Sequence, residues 1–102
     1  MAQWIKVAHT DEIPEGSIKI CEHYPDIILV HYQQQFSALE NACSHNGAPL
    51  EEGTLENGEL VCPWHGARFC LQSGTATLPP AYEPITTYPV RVEGSDIELL
   101  LD

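Results

Sequence analysis

An all-β domain built of antiparallel sheets is what the sequence predicts. Apolar and polar residues alternate over short runs, the two-residue period of half-buried strands. No apolar stripe of helical spacing persists for three turns, and Gly, Pro and Asn-Gly steps interrupt the chain between runs. Its 102 residues suffice for one domain, 1–102, with a modest core and no separate catalytic domain.

From the N-terminus, Ile5 and Val7 flank Lys6 as a first strand, and Asp11 to Gly16, with Pro14, form a turn. Ile18 and Ile20 alternate with Ser17 and Lys19 in a second strand. Its parity predicts Cys21 on the face of Ser17 and Lys19, partly exposed and oxidisable. Pro25-Asp26 breaks the chain before Ile27 to Tyr32, whose four leading apolar residues predict a strand covered on both faces. Gln33 to Gln35 turns back into Phe36 to Glu40. Asn57-Gly58 is a tight-hairpin signal, Leu60-Val61 follows it, Ala67 to Leu71 is a short strand and Ser73-Gly74 a turn. Leu78 to Pro84 contains Pro79, Pro80 and Pro84 and cannot continue a ladder. Ile85 to Glu93 and Ile97 to Leu101 are predicted as the arms of a closing hairpin, with Gly94-Ser95-Asp96 between them.

Four Lys+Arg against fifteen Asp+Glu leave a net charge of −11. Such a surface repels phosphate backbones and anionic headgroups, which argues against nucleic acid and membrane partners. It favours brief, salt-dependent encounters with basic patches on other proteins. Residues 1–10 lack the apolar run of a secretory signal, and no stretch approaches a membrane span. The cysteines are therefore read in a reducing cytoplasm rather than in a disulfide framework.

Chemistry concentrates in two clusters. Cys43-Ser44-His45 and Cys62-Pro63-Trp64-His65 each offer one thiolate and one imidazole, separated by residues 46–61. Both lie among Gly and Pro, so two loops, 42–50 and 61–69, are predicted to present the donors Cys43, His45, Cys62 and His65. Two sulfur and two nitrogen donors suit either zinc or a two-iron cluster with histidines on one iron. Zinc modules of this composition usually pair Cys with Cys on a hairpin and His with His on a helix. Here each loop supplies one of each and no helix is evident, which favours the iron cluster.

At these residues the chain resembles a known family. Cys43-Ser44-His45-Asn46-Gly47-Ala48-Pro49-Leu50 and Cys62-Pro63-Trp64-His65-Gly66 are similar to the two ligand boxes of Rieske iron-sulfur proteins. Ser73-Gly74-Thr75, Leu78 to Pro84 and the closing hairpin resemble the small soluble Rieske ferredoxins. The resemblance implies the Rieske fold, with a small cluster-binding subdomain made of two loops, and one [2Fe-2S] cluster per chain. It implies that Cys43 and Cys62 bind one iron through sulfur, while His45 and His65 bind the other through nitrogen. The implied role is one-electron transfer without catalysis, from a flavoprotein ferredoxin reductase to the oxygenase of an aromatic-ring dioxygenase system or another terminal acceptor. Two alternatives stand beside it: the small subunit of an assimilatory NAD(P)H nitrite reductase, and a zinc-stabilised interaction domain.

Departures from the family pattern narrow the resemblance. Respiratory-complex members carry a further Cys in each box, joined as a disulfide, where this chain has Ala48 and Trp64. They also carry a Ser and a Tyr that hydrogen-bond to cluster sulfur, where this chain has Ala67 and Phe69. The missing donors imply a low-potential cluster. Gly47 and Gly66 are expected to let backbone amides approach the sulfides. Trp64, at the loop tip with Pro63, is read as a shield for the cluster in preference to a docking anchor. Glu51, Glu52, Glu56 and Glu59 read as a solvated acidic loop, with partner steering as the second reading.

Cys21 and Cys70 read as structural, since plant-type clusters take closely spaced cysteines from one loop. His9, His23 and His31 read as strand or surface histidines, with no carboxylate grouping that would make a mononuclear iron site.

Overall fold

The computed structural model describes residues 2–45, 47–64, 66–79 and 81–102. Among them there are strands and two single 3₁₀ turns, Thr10–Glu12 and Leu50–Glu52, and no α-helix, as the alternating pattern predicts. Strands β1 (Gln3–His9), β10 (Val90–Glu93) and β11 (Asp96–Leu101) form one sheet in the order β1-β11-β10. Strands β2 (Ser17–Cys21), β3 (Tyr24–Tyr32), β4 (Gln35–Glu40) and β9 (Thr87–Tyr88) form a second, in that order. Strands β5 (Thr54–Glu56), β6 (Glu59–Val61), β7 (Arg68–Cys70) and β8 (Ala76–Leu78) form the third. Every pairing is antiparallel.

Strand β3 is the spine of the core and is covered on both faces, as its apolar run predicts. Ile27 and Leu29 pack in one cluster with Ile97 and Leu99 of β11. Ile28 and Val30 pack in a second with Leu50, Leu60 and Phe69. Each such side chain contributes about 1.5–3 kcal/mol relative to leaving it in water. A one-residue slip of β3 would exchange its two faces, so this pattern fixes where the third sheet sits.

The second strand departs from simple alternation. Ile20 pairs with Ile28 but Cys21 pairs with Tyr24, so the ladder passes over Pro25 to Ile27. Pro25 has no N–H to offer a partner, and the break reverses the parity beyond it. Cys21 is therefore buried, 1% exposed, while Ile20 is 43% exposed. The expectation of a partly exposed, oxidisable Cys21 is overturned, and burial, with Glu22 beside it, pushes its thiol up to about 11. The turn between β2 and β3 is Glu22-His23, with His23 in the left-handed region.

The closing hairpin also differs from its prediction. Residues 85–93 are not one arm: Thr87 and Tyr88 pair with Leu39 and Ala38 in the second sheet, whereas Val90 onward pairs with β11 in the first. Pro89 stands between the two ladders. It has no N–H to place in either, and its carbonyl accepts from the Leu100 amide at 3.2 Å.

At the β3–β4 turn, Gln33 and Gln34 both adopt positive φ, 52° and 67°, the conformation a two-residue hairpin needs. Glu15 offsets the strain by accepting from both amides, at 2.7 and 2.9 Å. Those two bonds hold its carboxyl below the usual range. The histidines outside the boxes have structural places. His9 caps the Thr10–Glu12 turn, His23 is exposed, and His31 stacks on Phe36 with Nδ1 2.8 Å from the Ile13 carbonyl oxygen. Among the described residues no helix is long and apolar enough to cross a membrane.

Candidate metal centre

The two Cys-containing loops share one backbone plan. In the first, the Cys43 amide donates to the Ala48 carbonyl at 3.0 Å and the Gly47 amide to the Cys43 carbonyl at 2.8 Å. In the second, the Cys62 amide donates to Ala67 at 2.7 Å and the Gly66 amide to Cys62 at 3.2 Å. Each loop thus closes between a Cys and the Ala five positions on, and turns at the Gly between them. Gly47 and Gly66 have φ of 74° and 71°, and a Cβ on either would meet no protein atom within 4 Å. Backbone conformation, not crowding by protein, is what calls for glycine here. The amides of these glycines close the loops on the cysteine carbonyls.

A hairpin brings the two loops together. Thr54, just after the first loop, pairs with Val61, just before the second. Gly53 allows this approach, since a Cβ there would collide with the Val61 carbonyl oxygen. Each neck also carries a side-chain tie that the sequence reading did not anticipate. At the first, Asn41 Nδ2 donates to Glu51 Oε1 at 3.3 Å and the Glu51 amide donates back to Asn41 Oδ1 at 2.9 Å. At the second, Arg68 donates to Glu56 at 2.9 Å and to Glu59 at 3.3 Å. Glu51 and Glu59 are therefore partly buried and tied into the structure, which corrects their reading as a solvated loop; Glu52 and Glu56 are exposed, Glu56 with an ion pair to Arg68. The proline segment is pinned to the first loop by Ser44 Oγ, which donates to the Glu83 carbonyl at 2.6 Å.

The candidate donors divide by burial. Cys43 and Cys62 are 3% and 2% exposed and belong to one apolar cluster with Ala48, Ala67 and Phe69. His45 is exposed at the surface of the first loop. His65, the fourth predicted donor, lies outside the described residues. Among the described residues no three His, Cys, Asp or Glu side chains are gathered at metal-binding separation. What the chain brings together is the pair of twin loops, with thiols on the inside and an imidazole on the outside. Trp64 is 57% exposed.

Comparison with known proteins settles the class of this centre. Residues 3–89 match the Rieske [2Fe-2S] domain. The chain belongs to the Rieske [2Fe-2S] family. It is 44% identical over 92 residues to the 3-phenylpropionate/cinnamic acid dioxygenase ferredoxin subunit of Photorhabdus laumondii, covering 89% of this chain and 88% of that one. The Escherichia coli protein of the same description is 45% identical over 87 residues, covering 84% and 82%. Among solved structures, the ferredoxin of carbazole 1,9a-dioxygenase from Nocardioides aromaticivorans superposes with a TM-score of 0.86 at 28% identity, covering 98% of this chain and 99% of that one. A chain in a complex of reduced oxygenase and oxidized ferredoxin of carbazole 1,9a-dioxygenase superposes with a TM-score of 0.84 at 27% identity, covering 95% and 92%.

As a Rieske ferredoxin the chain carries a [2Fe-2S] cluster and serves as an electron carrier rather than a catalyst. Its residues fit that group. The buried thiols of Cys43 and Cys62, one in each loop, would supply sulfur from the inside, and the exposed imidazole of His45 would supply nitrogen from the outside. The zinc-stabilised interaction domain is set aside by the family match. The positions that carry disulfide cysteines in respiratory Rieske proteins hold the fully buried Ala48 and the exposed Trp64, and no disulfide is present among the described residues.

The two remaining thiols of this Rieske chain sit in opposite environments. Cys70 is half-buried, and hydrogen bonds from Ser73, then from the Ser73 and Gln72 amides, hold its thiol below the usual range. Cys21 is buried with its thiol raised. Iodoacetamide at pH 8 should therefore alkylate Cys70 at least tenfold faster than Cys21 in the native protein. Peptide mass spectrometry over time checks this, and equal rates would contradict the reversed parity of β2.

Proposed function

We propose that Cys43, His45, Cys62 and His65 hold the cluster, and that this ferredoxin takes one electron from a flavin-containing reductase and passes it to the oxygenase of a ring-hydroxylating dioxygenase system in the cytoplasm. The observation that carries the ligand assignment is the twin closure of the two loops on Cys43 and Cys62. The bound cluster supplies a single site that accepts and releases one electron. The chain's own residues set the conditions for that step. The buried cysteines keep the sulfur side away from water, while His45 and Trp64 bring the opposite side to the surface where a partner can approach. The net charge of −11 draws the protein toward basic partner surfaces. Aromatic substrate choice belongs to the oxygenase, and the arylpropionate and cinnamate named for the relatives make an oxygenase of that class the first partner to test.

The test is anaerobic mixing of the reduced protein with the oxygenase of 3-phenylpropionate dioxygenase, followed by absorbance. Reoxidation of the ferredoxin matched by reduction of the oxygenase is expected. Absence of transfer, together with co-purification on a large sirohaem-containing subunit, would overturn the pathway in favour of nitrite reduction.

The low potential implied by Ala67 and Phe69 has a direct check. Both side chains are fully buried in the apolar cluster that holds Cys43 and Cys62, so hydroxyls placed there would be excluded from water and could donate to the cluster when it is bound. Ala67→Ser with Phe69→Tyr is expected to raise the reduction potential, by on the order of 50 mV for each donor that favours the reduced state by about 1 kcal/mol. Voltammetry of the folded double variant measures it, and an unchanged potential would remove this explanation.

A further inference from the structure

The second loop leaves and re-enters the sheet through β6 and β7, each only three residues long. Strands so short are weakly held by their ladder alone. Across this neck lies Arg68, the residue directly after Ala67, whose carbonyl closes the loop on the Cys62 amide. Its Nη2 donates to Glu56 at 2.9 Å and its Nη1 to Glu59 at 3.3 Å. One guanidinium thus grips both sides of the β5–β6 turn while its backbone pairs with Val61, the residue before Cys62. The planar fork of arginine suits this two-carboxylate grip, which lysine, as a point charge, cannot reproduce.

We propose that Arg68, with Glu56 and Glu59, is a positioning residue of the electron-transfer centre, clamping the neck of the second loop so that Cys62 keeps one geometry in both oxidation states. The inference rests on the assignment of Cys62 as a cluster ligand. A loop free to relax when an electron arrives adds reorganisation to every transfer, whereas a loop already held adds little. The first loop is tied differently, through the reciprocal Asn41–Glu51 pair. An ion pair at the protein surface is screened by salt, so raised ionic strength should loosen the second loop more than the first.

The test is hydrogen–deuterium exchange by mass spectrometry on the holoprotein, comparing wild type with Arg68→Met, the Glu56→Gln/Glu59→Gln double variant and Arg68→Lys. Both disruptive variants should speed exchange over residues 61–68 by about 5-fold, the upper range for a partly exposed ion pair. Residues 41–50 and 96–101 should exchange as in wild type, and Arg68→Lys should fall between. The disruptive variants should also broaden the electron paramagnetic resonance line alike. They alter the local charge in opposite directions, so any effect of charge alone would shift the reduction potential oppositely. Wild-type exchange over 61–68 in both variants would overturn the clamp, as would equal acceleration across the whole chain. Absence of iron in the wild-type protein would instead overturn the ligand assignment, and iron analysis detects that separately. Should Arg68→Met not fold, Arg68→Lys and the salt series on wild type decide the question by the same readout.

Discussion

Replacing Cys62 with serine is expected to abolish cluster binding while Cys70→Ser, eight residues away, retains iron and sulfide at the wild-type level. Cys62 is fully buried, its amide closes the second loop and its thiol faces the same apolar cluster as Cys43. A serine there offers a hard, weakly acidic oxygen where a thiolate is needed. It also leaves a buried hydroxyl, at a cost of about 1–3 kcal/mol. Because cluster binding is coupled to ordering of the loops, the loss should extend beyond colour to weaker protection of residues 42–50 and 61–69. Cys70 is half-buried, does not belong to the apolar cluster that holds Cys43 and Cys62, and has its thiol hydrogen-bonded by Ser73. Iron and sulfide analysis of the two variants checks the contrast. Loss of the cluster from Cys70→Ser but not from Cys62→Ser would contradict it.

Gly74→Ala is expected to be the most damaging single methyl addition outside the loops. Gly74 has a φ of 75°, and a Cβ there would collide with the Ile85 carbonyl oxygen and lie 3.0 Å from Thr87 Cγ2. The Gly74 amide donates to Cys70 and its carbonyl accepts from Ile85, so the glycine joins the third sheet to the segment that follows the prolines. That segment reaches the first loop through Glu83 and Ser44. The left-handed conformation costs about 1–2 kcal/mol for alanine, and overpacking adds about 1–3 kcal/mol. Gly94 has a φ of 63° with no atom near its Cβ, so Gly94→Ala isolates the conformational part. Chemical denaturation of the holoproteins should place Gly74→Ala below Gly94→Ala in stability by the overpacking amount. Equal losses would show that the close approach to Ile85 relaxes freely.

The core and the two loops were legible in the sequence because their signals are local. The run Ile27 to Val30 predicts a strand covered on both faces, and it has apolar partners on each. The repeated spacing of Cys, Gly and Ala in Cys43, Gly47, Ala48 and in Cys62, Gly66, Ala67 is the local signal of the common loop plan. The donors themselves obscure that plan, since His45 is two residues after its Cys and His65 three.

What escaped the sequence depends on partners distant along the chain. The reversed parity at Cys21 follows from which β3 residues the ladder skips, and the change of sheet at Pro89 from the competing pairings of β4 and β11. The grip of Arg68 on Glu56 and Glu59 depends on β5, β6 and β7 lying side by side. A charge run shows only that carboxylates are present. It does not show which of them a lone cation will find.

The most direct measurement is iron and acid-labile sulfide analysis of protein prepared without air, with electron paramagnetic resonance before and after dithionite. Two irons and two sulfides per chain are expected, as the formula of the cluster requires, with a signal that is absent when oxidised and present on one-electron reduction. A colourless protein without labile sulfide, silent after dithionite and holding zinc when prepared in iron-replete cells, would contradict it.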